Sequence, residues 1–287
     1  MRKILVTGAN GQLGWELGQL AASYPQYEFI FTDRSVIDLS KPETLAAIIN
    51  EMAPDAIINT AAYTAVDKAE AEKELAQAVN VQSVEKMAAI AFERKIPFIT
   101  FSTDYVFTGN ATTPYTTDTA LAPLNFYGST KADGERIAIA VNPNTIIIRT
   151  SWVFSTHGNN FVKSMIRFMK ERDVLNIVSD QRGRPTYAKD LADATMKMIV
   201  ALDNGKDIKG IYHYANQGET TWFEYCKKIQ SIVGLNCQVN SILTVDFPTP
   251  AKRPGYSVLD TDKIEKELSI TIPHWETSLL ECINKLS

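Results

Sequence analysis

Residues 3–7 (KILVT) form a short apolar, strand-like run, and residues 12–22 have helical spacing. Between them Thr7-Gly8-Ala9-Asn10-Gly11-Gln12-Leu13-Gly14 places glycines at GxxGxxG spacing. A chain that turns this sharply brings the first N–H groups of the helix, which have no partner inside it, to the carboxyl end of the strand. Side chains at Gly8, Gly11 and Gly14 would stand between those donors and an anion, or push helix and strand apart. With 14 glycines in 287 residues, the spacing arises by chance about 0.03 times. The turn therefore reads as a pyrophosphate-binding element, with Gln12 and Leu13 opening the helix beside the ligand.

The same unit recurs along the first half. Apolar, often β-branched runs at 28–32 (EFIFT), 56–60 (AIINT), 97–102 (PFITFS) and 145–150 (TIIIRT) alternate with helix-period segments at 43–52, 69–94 and 127–140. Short strands separated by helices predict parallel βαβ units, and right-handed crossovers make of them an α/β fold with a Rossmann-type doubly wound parallel sheet. After residue 152 the pattern loosens into helices at 160–172, 189–202 and 223–233, strands at 174–178 and 210–215, a Pro-rich stretch at 247–254 and two terminal helical segments. This predicts an NAD(P)-binding domain from 1–155 and about 174–215. A smaller C-terminal substrate-binding lobe takes about 156–173 and 216–287.

Bulk properties narrow the function classes. A net charge of −4 lacks the basic excess of a nucleic-acid binder. No run of eighteen apolar residues predicts a membrane span, and MRKILVTGANG lacks the apolar run of a signal peptide, which points to the cytoplasm. Cys226, Cys237 and Cys282 are odd in number and far apart, as reduced thiols are. His157, His213 and His274 are dispersed, and without CxxC or HExxH spacing no catalytic metal is expected.

Asp33 closes the second strand nineteen residues after Gly14, a spacing that suits a carboxylate on the adenosine ribose and hence NADH. Arg34 follows and suits a 2′-phosphate, hence NADPH, so both cofactors stay open. Asp38, beside Leu39, either accepts from the adenine amino group or caps its own turn. Ala61 and Ala62, followed by Tyr63 and Thr64, end the third strand; small residues there let backbone approach a ligand, and also favour helix–sheet packing.

A second cluster suggests acid–base chemistry. Thr103 and Asp104 end the fourth strand in STDYVF, and Tyr127 and Lys131 follow in FYGSTK. Residues i and i+4 share a helix face, so Lys131 can sit near the Tyr127 phenol. A free phenol has a pKa of about 10; a fixed ammonium favours phenolate and is expected to lower that value, improving a general acid. The Thr103 hydroxyl adds a donor for oxygen charge that develops when a carbonyl accepts hydride.

TGANGQLG, NTAAYT, STDYVF and YGSTK occur in the order of the extended short-chain dehydrogenases. VDKAE, Asn80-Val81, RTSWVF, DQRGRPT and KRPGYSVLD extend the likeness over nearly the whole chain, which resembles the dTDP-4-dehydrorhamnose reductases. The resemblance implies NAD(P)H-dependent reduction of the 4-keto group of dTDP-4-dehydro-L-rhamnose. Thr103, Tyr127 and Lys131 match the catalytic triad. Gly11, Gln12, Leu13, Asp38, Leu39, Ala62, Tyr63 and Thr64 match cofactor contacts, and Asp104 and Trp152 substrate contacts. Trp152 would pack its ring on a deoxysugar or serve as a core tryptophan. Arg184 and Arg253 are candidates for the nucleotide diphosphate, or for structural ion pairs. Some relatives form homodimers with Mg²⁺ held by glutamates at the interface, where Glu16 could fit. Two alternatives remain: another nucleotide-sugar epimerase or dehydratase, and a non-catalytic dinucleotide-binding subunit resembling the methionine adenosyltransferase beta subunit. A dehydratase would carry a second acid after Asp104, where this chain has Tyr105.

Overall fold

The computed structural model describes residues 1–286. Twelve strands and ten α-helices occur among the described residues. In the first half these are β1 (Arg2–Thr7), α1 (Gln12–Leu20), β2 (Tyr27–Thr32), α2 (Leu45–Met52), β3 (Ala56–Asn59), α3 (Lys73–Gln77), α4 (Ser83–Arg94), β4 (Phe98–Thr103), α5 (Phe126–Val141) and β5 (Ile146–Thr150). The second half comprises β6 (Val153–Phe154), α6 (Phe161–Glu171), β7 (Val174–Val178), β8 (Arg182–Gly183), β9 (Thr186–Tyr187), α7 (Ala188–Asp203), β10 (Gly210–His213), β11 (Thr220–Thr221), α8 (Trp222–Val233), β12 (Gln238–Ile242), α9 (Asp262–Leu268) and α10 (Trp275–Asn284).

The main sheet runs β10-β5-β4-β3-β1-β2 with every pair parallel. Alternate side chains leave opposite faces of a strand, and each face finds its own helices. Ile4, Val6, Ile58, Ile146 and Ile148 pack with Leu13, Leu17, Leu191 and Ile199 of α1 and α7. Leu5, Ile57, Phe98 and Ile147 pack with Ile49, Met87, Ala91 and Ala138 of α2, α4 and α5. Burial on both faces explains why these strands read as continuous apolar runs. Chain order reverses about β1, so the carboxyl ends of β1 and β3 form the crevice where such sheets bind ligands.

The helical stretch expected at 69–94 is broken. A 3₁₀ turn at Lys68–Glu70 precedes α3, and a π-helical turn at Ala78–Gln82 joins α3 to α4. Val174–Val178, expected with the cofactor-binding domain, instead pairs with β12 outside the main sheet. Only Leu175 of β7 is fully buried and Val174 is exposed, a burden that suits a two-stranded ribbon better than a central position. That ribbon packs with α6, α8 and α10 around Tyr225, Ile229, Trp275 and Leu279. No helix of the described residues is long and apolar enough to cross a membrane.

Candidate active site

The carboxyl ends of β1, β3, β4 and β5 open into a cleft of ≈ 870 Å³. Gly8 turns out of β1 with φ +75°, and a Cβ on it would lie 2.7 Å from the Ala61 nitrogen; only glycine allows this approach. A Cβ on Gly14 would strike the Gly8 carbonyl, so Gly14 lies behind the turn as a packing position and is not on the cleft wall. Gly11 caps α1 without a side-chain hydrogen bond, and Gly11, Gln12 and Leu13 line the cleft. This uncapped helix start, with no acidic residue in its first turn, is a cradle for pyrophosphate, and the site fits a dinucleotide.

Asp33 and Arg34 also line the cleft. Asp33 accepts from Ser35 N (2.9 Å), Ser35 Oγ (2.5 Å) and Asn10 Nδ2 (3.0 Å); the Ser35 bonds hold its carboxyl below the ordinary value. The exposed Arg34 places Nε 3.3 Å from Asp38 Oδ1. Asp38 accepts from Ser40 N and Oγ at 3.0 and 2.7 Å, so the turn-capping reading accounts for its bonds, although Asp38 and Leu39 also line the cleft. Ala61, Ala62, Tyr63 and Thr64 form the wall after β3. Asn80 holds this wall from the π-helical turn. It accepts from Tyr63 N (2.9 Å) and donates to Tyr63 O (3.0 Å) and Thr130 Oγ1 (3.0 Å), joining the β3 loop to α5.

Helix α5 begins at Asn125, whose side chain accepts from Gly128 N at 2.8 Å, and Glu70 accepts from Phe126 N at 2.8 Å. Its close seat depends on Gly128 and Gly134, where a Cβ would strike the carbonyls of Tyr105 and Asn80. Tyr127 and Lys131 consequently reach the cleft with Thr103 and Asp104, all four buried. Thr103 Oγ1 donates to Asp104 Oδ1 (2.9 Å) and accepts from Tyr105 N (3.2 Å). Burial pushes Asp104 up to about 6, against the Thr103 bond. Ser257 lies nearby, but its hydroxyl leans toward the Arg182 carbonyl (3.4 Å), and Asp104 Oδ2 has no hydrogen-bond partner.

The expected tuning of the phenol comes out otherwise. Burial raises the Tyr127 pKa, and the neighbouring Thr103 hydroxyl opposes the rise. Lys131 is itself lowered to about 8 by burial, with Glu135 opposing, and its ammonium donates to Phe101 O at 2.7 Å. Desolvation outweighs the pairing that i, i+4 spacing suggests.

Trp152 lines the cleft with φ +49° and stacks on Trp222, with ring centroids 3.6 Å apart. Arg184 and Arg253 are not on the cleft wall. Arg184 donates to Leu259 O (3.1 Å). Arg253 pairs with Asp67 (2.7 Å) and donates to Ala251 O (3.2 Å), so local acceptors already take up its charge. Glu16 is buried, accepts from Ser155 Oγ (2.6 Å), and is raised by burial with Lys285 and Lys189 acting against the shift. No group of three or more acidic, His or Cys side chains able to hold a metal occurs among the described residues, so Glu16 and its neighbours do not fit Mg²⁺ within one chain. Neither Trp222, which lines the cleft, nor Asn80, which holds its wall, was singled out as a site candidate from sequence: one is a lone tryptophan in the loosely patterned half, the other entered only within the Asn80-Val81 motif and sits in a π-helical turn.

The model of the RmlD substrate binding domain family matches residues 1–287. The dTDP-4-dehydrorhamnose reductase of Escherichia coli strain K12 is 41% identical, covering 99% of this chain and 97% of the relative. Among solved structures, the dTDP-4-dehydrorhamnose reductase of Clostridium acetobutylicum is 38% identical, covers 99% of each chain and superposes with a TM-score of 0.92. That of Bacillus anthracis, in complex with NADP, is 34% identical, covers 99% of this chain and all of its own, and gives a TM-score of 0.93. On a full-length family match and relatives this similar over nearly their whole length, the chain belongs to the RmlD substrate binding domain family, that of the dTDP-4-dehydrorhamnose reductases.

Proposed function

We propose that this chain reduces the 4-keto group of dTDP-4-dehydro-L-rhamnose to give dTDP-L-rhamnose, with NADPH or NADH as reductant. The observation that carries the reading is that Thr103, Tyr127 and Lys131 line the same cleft as the glycine turn. The bound nicotinamide supplies hydride to the carbonyl carbon. Tyr127, held protonated at neutral pH by burial, gives its proton to the carbonyl oxygen, with the Lys131 ammonium in the same cleft. Thr103 turns its hydroxyl from Asp104 to the same oxygen. Gly8, Gly11, Gln12, Leu13 and the wall Ala61–Thr64 hold the dinucleotide, with Asp33 and Arg34 at its adenosine end.

The full-length relatives and the NADP complex support this reading. Three free, buried cysteines support a reducing compartment such as the cytoplasm. A homodimer stays an expectation from the resemblance, and no role is given to Mg²⁺. The test follows NAD(P)H absorbance with the purified keto sugar. Consumption by the wild type and none by Tyr127→Phe supports the reading; cofactor binding without turnover of any nucleotide keto sugar would favour the non-catalytic alternative.

A further inference from the structure

Trp222 opens α8 directly behind a capping box formed by Thr221 and Glu224, so its backbone position is fixed at a helix start. Its indole lies 3.6 Å from that of Trp152 with 12° between the planes, and both line the cleft. Gly183 presses on Trp152 from β8, where a Cβ would come within 2.7 Å of Cε2 and Cζ2; β8 is held by pairing with β11, next to Trp222. Phe161 packs on Trp222 at 4.6 Å. The result is a packed column: Gly183, Trp152, Trp222, Phe161.

A bulky residue at φ +49° is strained and persists only where its surroundings over-determine it. The column supplies that constraint. Trp222 also covers one ring face of Trp152, so that face is closed to a deoxysugar. Aromatic edges carry partial positive charge and suit the oxygen atoms of a sugar better than its C–H face.

We infer that Trp222 is a second tryptophan of the substrate site, which holds Trp152 in its left-handed conformation and shares with it the wall against which the sugar of a nucleotide sugar packs. This rests on the reading that the cleft takes a dTDP-sugar. Trp222 is a positioning residue for Trp152, and the pair acts as one rigid block.

The experiment compares wild type, Trp222→Phe and Trp222→Ala. Stacking worth about 1.4 kcal/mol corresponds to a tenfold change. Trp222→Ala accordingly raises KM for the keto sugar about tenfold and Trp222→Phe about threefold, with the Kd of NADPH changed less than about twofold. Stacked indoles give an exciton couplet in circular dichroism, which both variants lose and the wild type keeps when dTDP-L-rhamnose is added. An unchanged KM in Trp222→Ala overturns the inference, as does an equal loss of NADPH affinity. So does a wild-type couplet that vanishes with dTDP-L-rhamnose, since Trp222 would then be a plug that leaves. Absence of keto-sugar turnover by the wild type sinks the functional reading instead; the couplet, with dTDP-L-rhamnose affinity measured by calorimetry on all three proteins, then still decides the role of Trp222.

Discussion

The Lys131 ammonium donates to the backbone carbonyl of Phe101 at 2.7 Å, which ties the cation of the Tyr127–Lys131 pair to the strand that ends in Thr103. The tether fixes α5 against β4 through a charge that burial makes costly.

That cost sets a pH dependence. Lys131 is lowered from its ordinary value to about 8, so the folded protein binds fewer protons than the unfolded chain between there and the ordinary lysine value. Its destabilising contribution is complete below about 8 and is relieved as pH rises toward the unfolded value. Activity runs the other way, because the ammonium is lost as pH rises through about 8. The pH profile of kcat/KM should show an alkaline limb there. Lys131→Met should lower kcat about a hundredfold or more while raising Tm at pH 7, read by stopped-flow turnover and calorimetry.

Asp104 is the corresponding acid. Its carboxyl is pushed up to about 6 by burial, so the folded state holds more protons than the unfolded chain between the ordinary carboxylate value and about 6, and stability falls as pH rises across that window. Asp104→Asn keeps an acceptor for Thr103 and removes the buried charge. It should stabilise the protein at pH 7 by about 2–3 kcal/mol, with the gain shrinking to nothing near pH 4. A gain that is constant with pH would show that Asp104 does not titrate in this window.

Arg34 has its Nε near Asp38 and is largely exposed, whereas the Asp33 carboxylate is engaged by Ser35 and Asn10. A 2′-phosphate would therefore find an exposed guanidinium in Arg34 and an Asp33 carboxylate already held in place. Arg34→Ala should weaken NADPH by roughly tenfold and NADH by much less, as charge-assisted bonds are worth about 1.5–3 kcal/mol. Equal loss for both cofactors, measured by fluorescence titration, would remove the 2′-phosphate role.

The parallel sheet was legible because strands buried on both faces need unbroken apolar runs, as in residues 3–7 and 145–150, and the glycine turn because its backbone approach excludes side chains. The lobe was less legible. The fate of Val174–Val178 depends on β12, sixty-odd residues later, and nothing local distinguishes a main-sheet strand from a two-stranded ribbon. Arg253 reads equally as a phosphate ligand or as half of a structural ion pair, and its partner Asp67, 186 residues away in sequence, carries no local signal. Tyr127 and Lys131 were recognisable by spacing, but spacing carries no information about desolvation, which governs both groups.

Arg149 on β5 and Glu135 on α5, one turn beyond Lys131, form a fully buried pair with bonds of 2.9 and 2.7 Å. Arg149 also reaches Thr117 O at 3.3 Å and His213 Nε2 at 3.2 Å, and lies over the Phe107 ring at 5.0 Å. His213 is lowered to about 3 by burial, with Arg149 adding to the shift; it stays neutral, and a proton on Nδ1, facing Asp260 O at 3.1 Å, leaves Nε2 as the acceptor for Arg149. Removing one partner of such a pair leaves a buried charge uncompensated and costs about 3–5 kcal/mol. Glu135→Gln and Arg149→Met should each destabilise by that order in urea unfolding. Glu135→Leu combined with Arg149→Met should recover much of the loss, because no unpaired charge remains. Glu135 also supports the charged form of Lys131. Glu135→Gln should therefore move the alkaline limb of kcat/KM to lower pH, whereas a change confined to stability would leave that limb in place.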